Sequence, residues 1–99
     1  MTRDTAYLTV MISKASGEKM ADIRRAGRRR PLPALRWMIG KELMARGYNI
    51  SYAAHEVGLD RATLRYGLEQ LEHMQHDEGW ALEQRIAVEF HRLIDNEPV

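Results

Sequence analysis

The chain of 99 residues is 44% hydrophobic and 29% charged, which is typical of a single soluble globular domain spanning residues 1–99. It contains no cysteine, so disulfides, thiolate metal sites and thiol chemistry are excluded. It also lacks a run of 18 apolar residues and a signal peptide with a small-residue cleavage site. We therefore expect a cytoplasmic protein that does not enter a membrane.

The net charge of +1 conceals an uneven distribution of charge along the chain. Residues 1–71 carry 13 Lys or Arg against 7 Asp or Glu, a net +6. Residues 72–99 carry 2 against 7, a net −5. A basic first part and an acidic last part indicate that one face of the protein meets a polyanion.

The spacing of apolar residues predicts two helices near the start of the chain. The first covers residues 4–16 and ends at Gly17, because glycine is the usual residue just past a helix C-terminus. The second is short, covers residues 18–25, and turns Met20 and Ile23 inward. Both are too short to be stable alone and need tertiary packing.

One glycine and two prolines break regular structure from Ala26 to Pro33. The break overlaps a concentration of positive charge over residues 24–30, which we call the arginine segment. Such a segment can be a solvated basic loop, but we expect it to bind DNA phosphates and to place one arginine in a minor groove. The residues concerned are Arg24, Arg25, Arg28, Arg29 and Arg30.

Two longer helices are expected after this break and near the end of the chain. One runs from about Ala34 to Arg46 and stops at Gly47. The other follows a polar interruption at residues 76–79 and runs from Trp80 to about Asp95. The expected inner faces consist of Leu35, Met38, Ile39 and Leu43 in the former and of Leu82, Ile86, Phe90 and Leu93 in the latter.

Between these helices, residues 49–71 have the spacing of two helices joined by a tight turn. The small Ala54 allows the helices to approach each other, and Gly58 opens the turn. Aliphatic residues on both sides hold the pair at a steep angle. This pattern is a helix-turn-helix, whose second helix can enter a DNA major groove.

Polar residues mark where the two helices of the motif begin. Asn49 or Ser51 caps the first, which ends near Val57, and Asp60 caps the second, which begins at Arg61. The chain shows no convincing two-residue alternation of the kind that strands need. We therefore predict an all-α fold, a compact bundle of about six helices that contains a helix-turn-helix.

Read in order, these parts resemble the C-terminal DNA-binding domain of the bacterial replication initiator DnaA. The Gly-x-Lys-x-x-Asp-aliphatic segment of that family is similar to residues 17–23, its basic loop to residues 24–30, and its Lys/Arg-Glu-Leu helix end to residues 41–43. Its recognition helix opens with Asp-His-Thr-Thr-Val, where residues 60–64 read Asp-Arg-Ala-Thr-Leu. The resemblance covers residues 7–93 without the family's ATPase domain. It implies a Trp-repressor-like fold that binds double-stranded DNA.

Several positions depart from the family pattern. The family's arginine before the recognition aspartate is missing after Gly58, and the basic loop is shorter. Arg61 replaces the family's histidine, and Ala62 replaces its first threonine. We therefore carry over the fold and the mode of binding but not the target sequence. By the same resemblance, Arg28 or Arg29 is the arginine expected in the minor groove.

Further candidate contacts lie where the two helices of the motif begin. Asp60 can cap the free amides of the second helix, and this can be its whole role, without any contact to DNA. Arg61 is a cation near the positive end of a helix, which is unfavourable unless it meets a phosphate or the O6 and N7 atoms of guanine. Thr63 can contact a thymine methyl group or a phosphate. The full set of candidates here is Ser51, Tyr52, Asp60, Arg61, Thr63 and Arg65.

The sequence offers no motif for catalysis or for a cofactor. It lacks a Gly-rich phosphate loop, a nucleophile elbow and a His-Glu-x-x-His pair. His73 and His76 could share one helix face, but no third metal ligand is evident. We expect a protein that is not an enzyme and that has no cofactor, metal or small-molecule substrate.

The predicted function is sequence-preferring binding of double-stranded DNA, with a recognition helix over about residues 61–74. It would act in replication initiation or in transcription regulation in a bacterium or phage. The alternative is a protein–protein adaptor on the same scaffold, which binds an acidic partner through the arginines or associates through the helix over residues 80–95. We expect a monomer or a weak dimer; a dimer would need two half-sites roughly one helical turn apart.

Overall fold

The computed structural model describes residues 1–25 and 27–96, so Ala26 of the predicted break lies outside the described residues, as do residues 97–99. The described part contains six α-helices, one 3₁₀ turn and no strand, which confirms the predicted fold class. The elements are α1 (Arg3–Ser16), α2 (Met20–Arg24), α3 (Leu32–Ala45), α4 (Ile50–Glu56), α5 (Arg61–Met74), the 3₁₀ turn (Glu78–Trp80) and α6 (Ala81–Asp95).

Local signals in the sequence set most helix ends. Thr2, Asn49 and Asp60 each accept a hydrogen bond from the backbone N–H three residues on, at 3.1, 2.8 and 2.7 Å. These bonds satisfy amides that the first turn of a helix leaves without partners. The chain leaves α3 and α4 through Gly47 and Gly58, whose φ angles of 105° and 73° are strained for any other residue type.

Helix α3 is the centre of the fold and contacts each of the other five α-helices. The Cα radius of gyration is 12.3 Å, close to the value of about 13 Å expected for a compact domain of this length. The inner face of α3 is buried as predicted, and the surrounding helices add apolar side chains to one core. Its fully or almost fully buried members include Leu8, Ile12, Ile23, Leu35, Ile39, Leu43, Leu64, Ile86 and Phe90.

Two glycines within helices allow α5 to lie against α3 at short range. A Cβ atom added at Gly67 would lie 2.3 Å from the ring of Trp37, and one added at Gly40 would lie 2.7 Å from a methyl group of Leu64. The Trp37 ring therefore packs on the backbone of α5, and the Leu64 side chain packs on the backbone of α3. These two contacts fix the position of α5.

Two helices, α2 and α3, begin two residues away from their predicted starts. Helix α2 begins at Met20, which is exposed rather than inward, because in a helix of five residues Ile23 alone is buried. Helix α3 begins at Leu32, two residues earlier than predicted. Pro33 is tolerated there because the first turn of a helix leaves its amides without intrahelical partners.

The inner face of α6 is rotated relative to the prediction. Leu82, expected inside, is 45% exposed, whereas Glu83 is 1% exposed. At the other end Leu93 is half-buried and Ile94 is buried. The rotation brings a carboxylate into the protein, which is possible because Arg30 pairs with it.

We predict that Gly67→Ala destabilises the protein, because its new methyl group would collide with the rigid ring of Trp37. Overpacking costs typically 1–3 kcal/mol, and the better helix propensity of alanine offsets up to about 1 kcal/mol of this. Urea unfolding measures the difference. Gly40→Ala is the matched control, with a smaller expected loss because the methyl group of Leu64 can move. A Gly67→Ala variant as stable as wild type would contradict the close packing.

Candidate nucleic-acid interface

Residues 57–60 join α4 to α5 by a tight glycine turn. Gly58 donates its N–H to the carbonyl of His55 at 3.1 Å, and Leu59 donates its N–H to the carbonyl of Ala54 at 2.9 Å. This pair of bonds is a Schellman motif, which closes the C-terminus of a helix around a glycine of positive φ. The turn therefore has a defined backbone path, and it sets the direction in which α5 starts.

Asp60 begins α5 by accepting the N–H of Thr63 at 2.7 Å. This backbone hydrogen bond, with a second from the Thr63 hydroxyl group, holds the pKa of Asp60 below its ordinary value. The carboxylate of Asp60 is therefore engaged as a helix cap, which is the simpler of the roles that its sequence position suggested.

The first two turns of α5 expose a polar face. Of residues 61–67, five are exposed and two face the core. Within the described part of the chain, the guanidinium groups of Arg61 and Arg65 have no ion pair or hydrogen bond, and Thr63 is exposed between them. This end of α5 therefore carries two cations without an intramolecular partner.

Tyr66 lies exposed on the same part of α5, although the apolar pattern of the helix does not mark it. Its ring is 56% exposed and lies edge-on to Trp37, with 6.1 Å between the ring centroids. Because Trp37 is itself packed on α5, the Tyr66 ring is supported from one side. Its outward position could be recognised from sequence, because it lies two residues from both Leu64 and Leu68 and therefore on the opposite side of the helix.

Ser51 and Tyr52 are exposed at the start of α4. Asn49 rather than Ser51 caps this helix, so the cap leaves the Ser51 hydroxyl uncommitted. The ring of Tyr52 stacks on Tyr48 with 5.3 Å between centroids, and the Tyr48 hydroxyl donates to Asp4 at 2.8 Å. The α4–α5 turn follows the other end of this seven-residue helix, which is about 10 Å long.

A buried arginine fixes the backbone of the arginine segment. Arg36 is 4% exposed, and its Nη2 donates to the carbonyls of Arg25 and Gly27, the latter at 3.2 Å. Burial lowers the pKa of Arg36, but an arginine remains charged. No described carboxylate pairs with it, so its charge adds to that of the segment. Its place between Leu32 and Ile39 on the inner face of α3 is the sequence signal for its burial.

Two arginines of the segment form ion pairs within the protein. Arg29 donates to both carboxylate oxygens of Glu18, at 3.1 and 2.7 Å, and the hydrogen bond holds the pKa of Glu18 below its ordinary value. Arg30 donates to both oxygens of the buried Glu83 at 2.9 Å, and its guanidinium carbon lies 4.3 Å from the centre of the Trp80 ring. Both arginine side chains stay largely exposed, but the carboxylate that pairs with Arg30 is buried on α6.

The other three arginines of the segment, Arg24, Arg25 and Arg28, have exposed side chains. Within residues 1–25 and 27–96 none of them forms an ion pair; Arg24 donates to the sulfur of Met1 at 3.8 Å. The structure therefore divides the predicted cluster into three cations without an ion pair in the described residues, one surface pair, and one pair in which the carboxylate alone is buried.

A cleft of about 200 Å³ connects the arginine segment with the α4–α5 turn. Arg24 and Arg36 line it on the side of α2 and α3, and His55, Val57 and Gly58 line it on the side of the turn. Residues that are distant in sequence thus meet at one place on the surface. Arg24 is the member of the segment that this cleft brings next to the turn.

Comparison of the chain with protein-family models, with curated proteins and with solved structures gave no match. The resemblance to the DnaA domain therefore stays a prediction that rests on the residues quoted above. None of the described helices is both long and apolar enough to cross a membrane. In the same residues, no three His, Cys, Asp or Glu side chains are grouped so that they could hold a metal ion.

We predict that Arg30→Ala lowers the urea midpoint, because it leaves the carboxylate of Glu83 buried without a counter-ion. Arg30→Ala combined with Glu83→Gln should regain part of the loss, since the amide carries no charge. Arg29→Ala is the control and should change the midpoint little, because it removes a surface ion pair. A double variant that is less stable than Arg30→Ala alone would contradict this role.

Proposed function

We propose that the protein binds double-stranded DNA, with the exposed start of α5 in the major groove and the arginine segment on adjacent phosphates. The observation that carries the proposal is the pair of guanidinium groups of Arg61 and Arg65 on the first two turns of α5, which have no ion pair or hydrogen bond within the described residues. A cation at the N-terminal end of a helix opposes the helix dipole, so an external anion or a guanine would relieve an unfavourable position. Two helices joined by a glycine turn are also the arrangement that helix-turn-helix proteins use.

Each exposed residue of this face has a role that suits its chemistry. Arg61 can pair with O6 and N7 of guanine, and Thr63 can contact a thymine methyl group. Arg65 leaves the helix at a different angle and suits a phosphate. Tyr66 adds an aromatic ring one turn further along, and its hydroxyl, which has no hydrogen bond among the described residues, can donate to a base or a phosphate.

The arginine segment suits the electrostatic part of this binding. Arg24, Arg25 and Arg28 can bind phosphates directly, because none of them forms an ion pair within the described residues that would have to break first. Arg29 can exchange its surface pair with Glu18 for a phosphate at little cost, because an exposed ion pair contributes about 0–1 kcal/mol. Arg30 is left out of the proposed interface, because moving it would leave Glu83 buried and unpaired.

In biological terms, the resemblance to DnaA favours a role in replication initiation or in transcription regulation. Binding would combine a large sequence-independent electrostatic component with base contacts from α5. A monomer would recognise a single non-palindromic element, and a dimer two half-sites.

Salt dependence of duplex binding tests this proposal. We expect fluorescence anisotropy to detect binding of the wild type to a labelled random duplex at low salt. Replacing Arg24, Arg25 and Arg28 together by alanine should lower the slope of log affinity against log salt by about 0.9 for each phosphate contact that is lost.

A charge-matched control removes three cations elsewhere: Lys41, Arg85 and Arg92, all changed to alanine. It has the same net charge as the test variant and should bind nearly as wild type does. Absence of duplex binding by the wild type at low salt would refute the proposal and favour the adaptor hypothesis. Equal losses in the two triple variants would show that net charge, and not this face, is responsible.

Base recognition by α5 is tested separately. We predict that selection from a random duplex library gives a motif for the wild type and that Arg61→Ala relaxes the preference at one position. A good bidentate contact to guanine contributes about 1–3 kcal/mol of discrimination. Arg85→Ala, an exposed change on α6, is the control and should leave the motif unchanged. An unchanged motif with Arg61→Ala would exclude base reading by this residue.

A further inference from the structure

We propose that an apolar groove between α3, α5 and α6 binds an acidic amphipathic helix of a partner protein. The groove has a volume of about 490 Å³ and lies open on the surface. Its apolar lining consists of Met38, Ala45, Leu71, Met74, Ala87, Val88 and Phe90. Val88 is the most exposed of the larger side chains among these, with 72% of its surface accessible to solvent. Methionines adapt their shape to different side chains, which is why they are common on surfaces that accept helices.

The charges at the rim of the groove favour an acidic partner. Two glutamates line it, and each pairs with an arginine: Glu42 with Arg46 at 3.2 Å, where Arg46 also pairs with Asp4 at 3.5 Å, and Glu83 with Arg30 at 2.9 Å. Lys41 also lines the groove, and it has no ion pair or hydrogen bond within the described residues. The lining thus offers one uncompensated cation beside an apolar floor, which an Asp or Glu on the partner would complement.

The architecture of the protein favours a helical partner segment. Peptides bind proteins chiefly by adding a strand to a sheet edge, by laying a helix in a groove, or by docking polyproline on aromatic side chains. The described residues form no sheet, and the groove lining contains one Phe, Phe90, and no Tyr or Trp. A helix with apolar residues at positions i, i+3, i+4 and i+7 fits the remaining mode.

A second copy of the chain does not offer such a helix. An apolar ridge needs exposed apolar residues three or four positions apart on one helix. The large exposed hydrophobic residues of the described part are Met1, Met20, Tyr52, Tyr66, Leu82 and Val88. The two on α6 are six residues apart and point to different sides of the helix. No described helix therefore carries an unpartnered ridge that could fill the groove of another copy.

The groove is remote from the face proposed for DNA. Leu71 and Met74 line it at the end of α5, whereas Arg61 lies at the start, and thirteen residues of helix span about 20 Å. Binding at the groove does not depend on DNA binding, and the two could occur together.

Selection from a phage-displayed library tests the inference. The library contains 16-residue amphipathic helical peptides with a fixed apolar ridge and random charges at the polar positions, and the target is the full chain. We expect enriched peptides with an excess of Asp and Glu, and we expect Val88→Arg to weaken their binding at least tenfold. Leu82→Arg is the matched control: it makes the same change on α6 outside the groove and should have no effect.

Lys41→Glu tests the charge argument without altering the apolar floor. It should weaken the binding of the acidic peptides, and a repeated selection on this variant should enrich peptides with Lys and Arg instead. The inference is overturned if no peptide responds to Val88→Arg or if the enriched peptides show no acidic bias. It is also overturned if sedimentation detects a dimer that Val88→Arg dissociates, because a second copy would then occupy the groove.

Discussion

The arrangement of the protein depends on the close packing of α5 against α3. Gly40 and Gly67 remove two side chains at the crossing, and Leu64 and Trp37 fill the space from the opposite helices. Because α3 contacts all the other α-helices, this crossing fixes α5 relative to the whole core. One end of α5 then projects the polar face with Arg61, and the other end borders the apolar groove. A shift of α5 would alter both surfaces together.

The charged residues divide into those that hold the fold and those that are available to a partner. Arg36 donates hydrogen bonds to backbone carbonyls of the arginine segment, and Arg30 neutralises the carboxylate of Glu83 on α6. These two cations therefore give the segment its shape and join it to the last helix. The unpaired guanidinium groups lie on the segment itself and on the first turns of α5. A net charge near zero thus coexists with two local concentrations of positive charge.

The parts of the structure that could be predicted from sequence are those set by local interactions. Asn49 and Asp60 as caps, Gly47 and Gly58 as stops, and the inner face of α3 all follow from neighbours within a few residues. The position of Gly67 against Trp37 could not be predicted, because helical spacing does not reveal which helices touch. For the same reason the sequence did not separate Arg30, which pairs with a buried carboxylate, from the other arginines, and it placed Leu82 inside instead of Glu83.

The central claim is that the start of α5 and the arginine segment form one DNA-binding face. Amide chemical-shift mapping by NMR, with a short unlabelled duplex added at low salt to the ¹⁵N-labelled protein, measures this most directly. We expect the largest shifts over residues 24–25, 27–29 and 61–66, with small shifts along α6. Shifts confined to α6 and the groove, or spread evenly over all exposed cations, would contradict it.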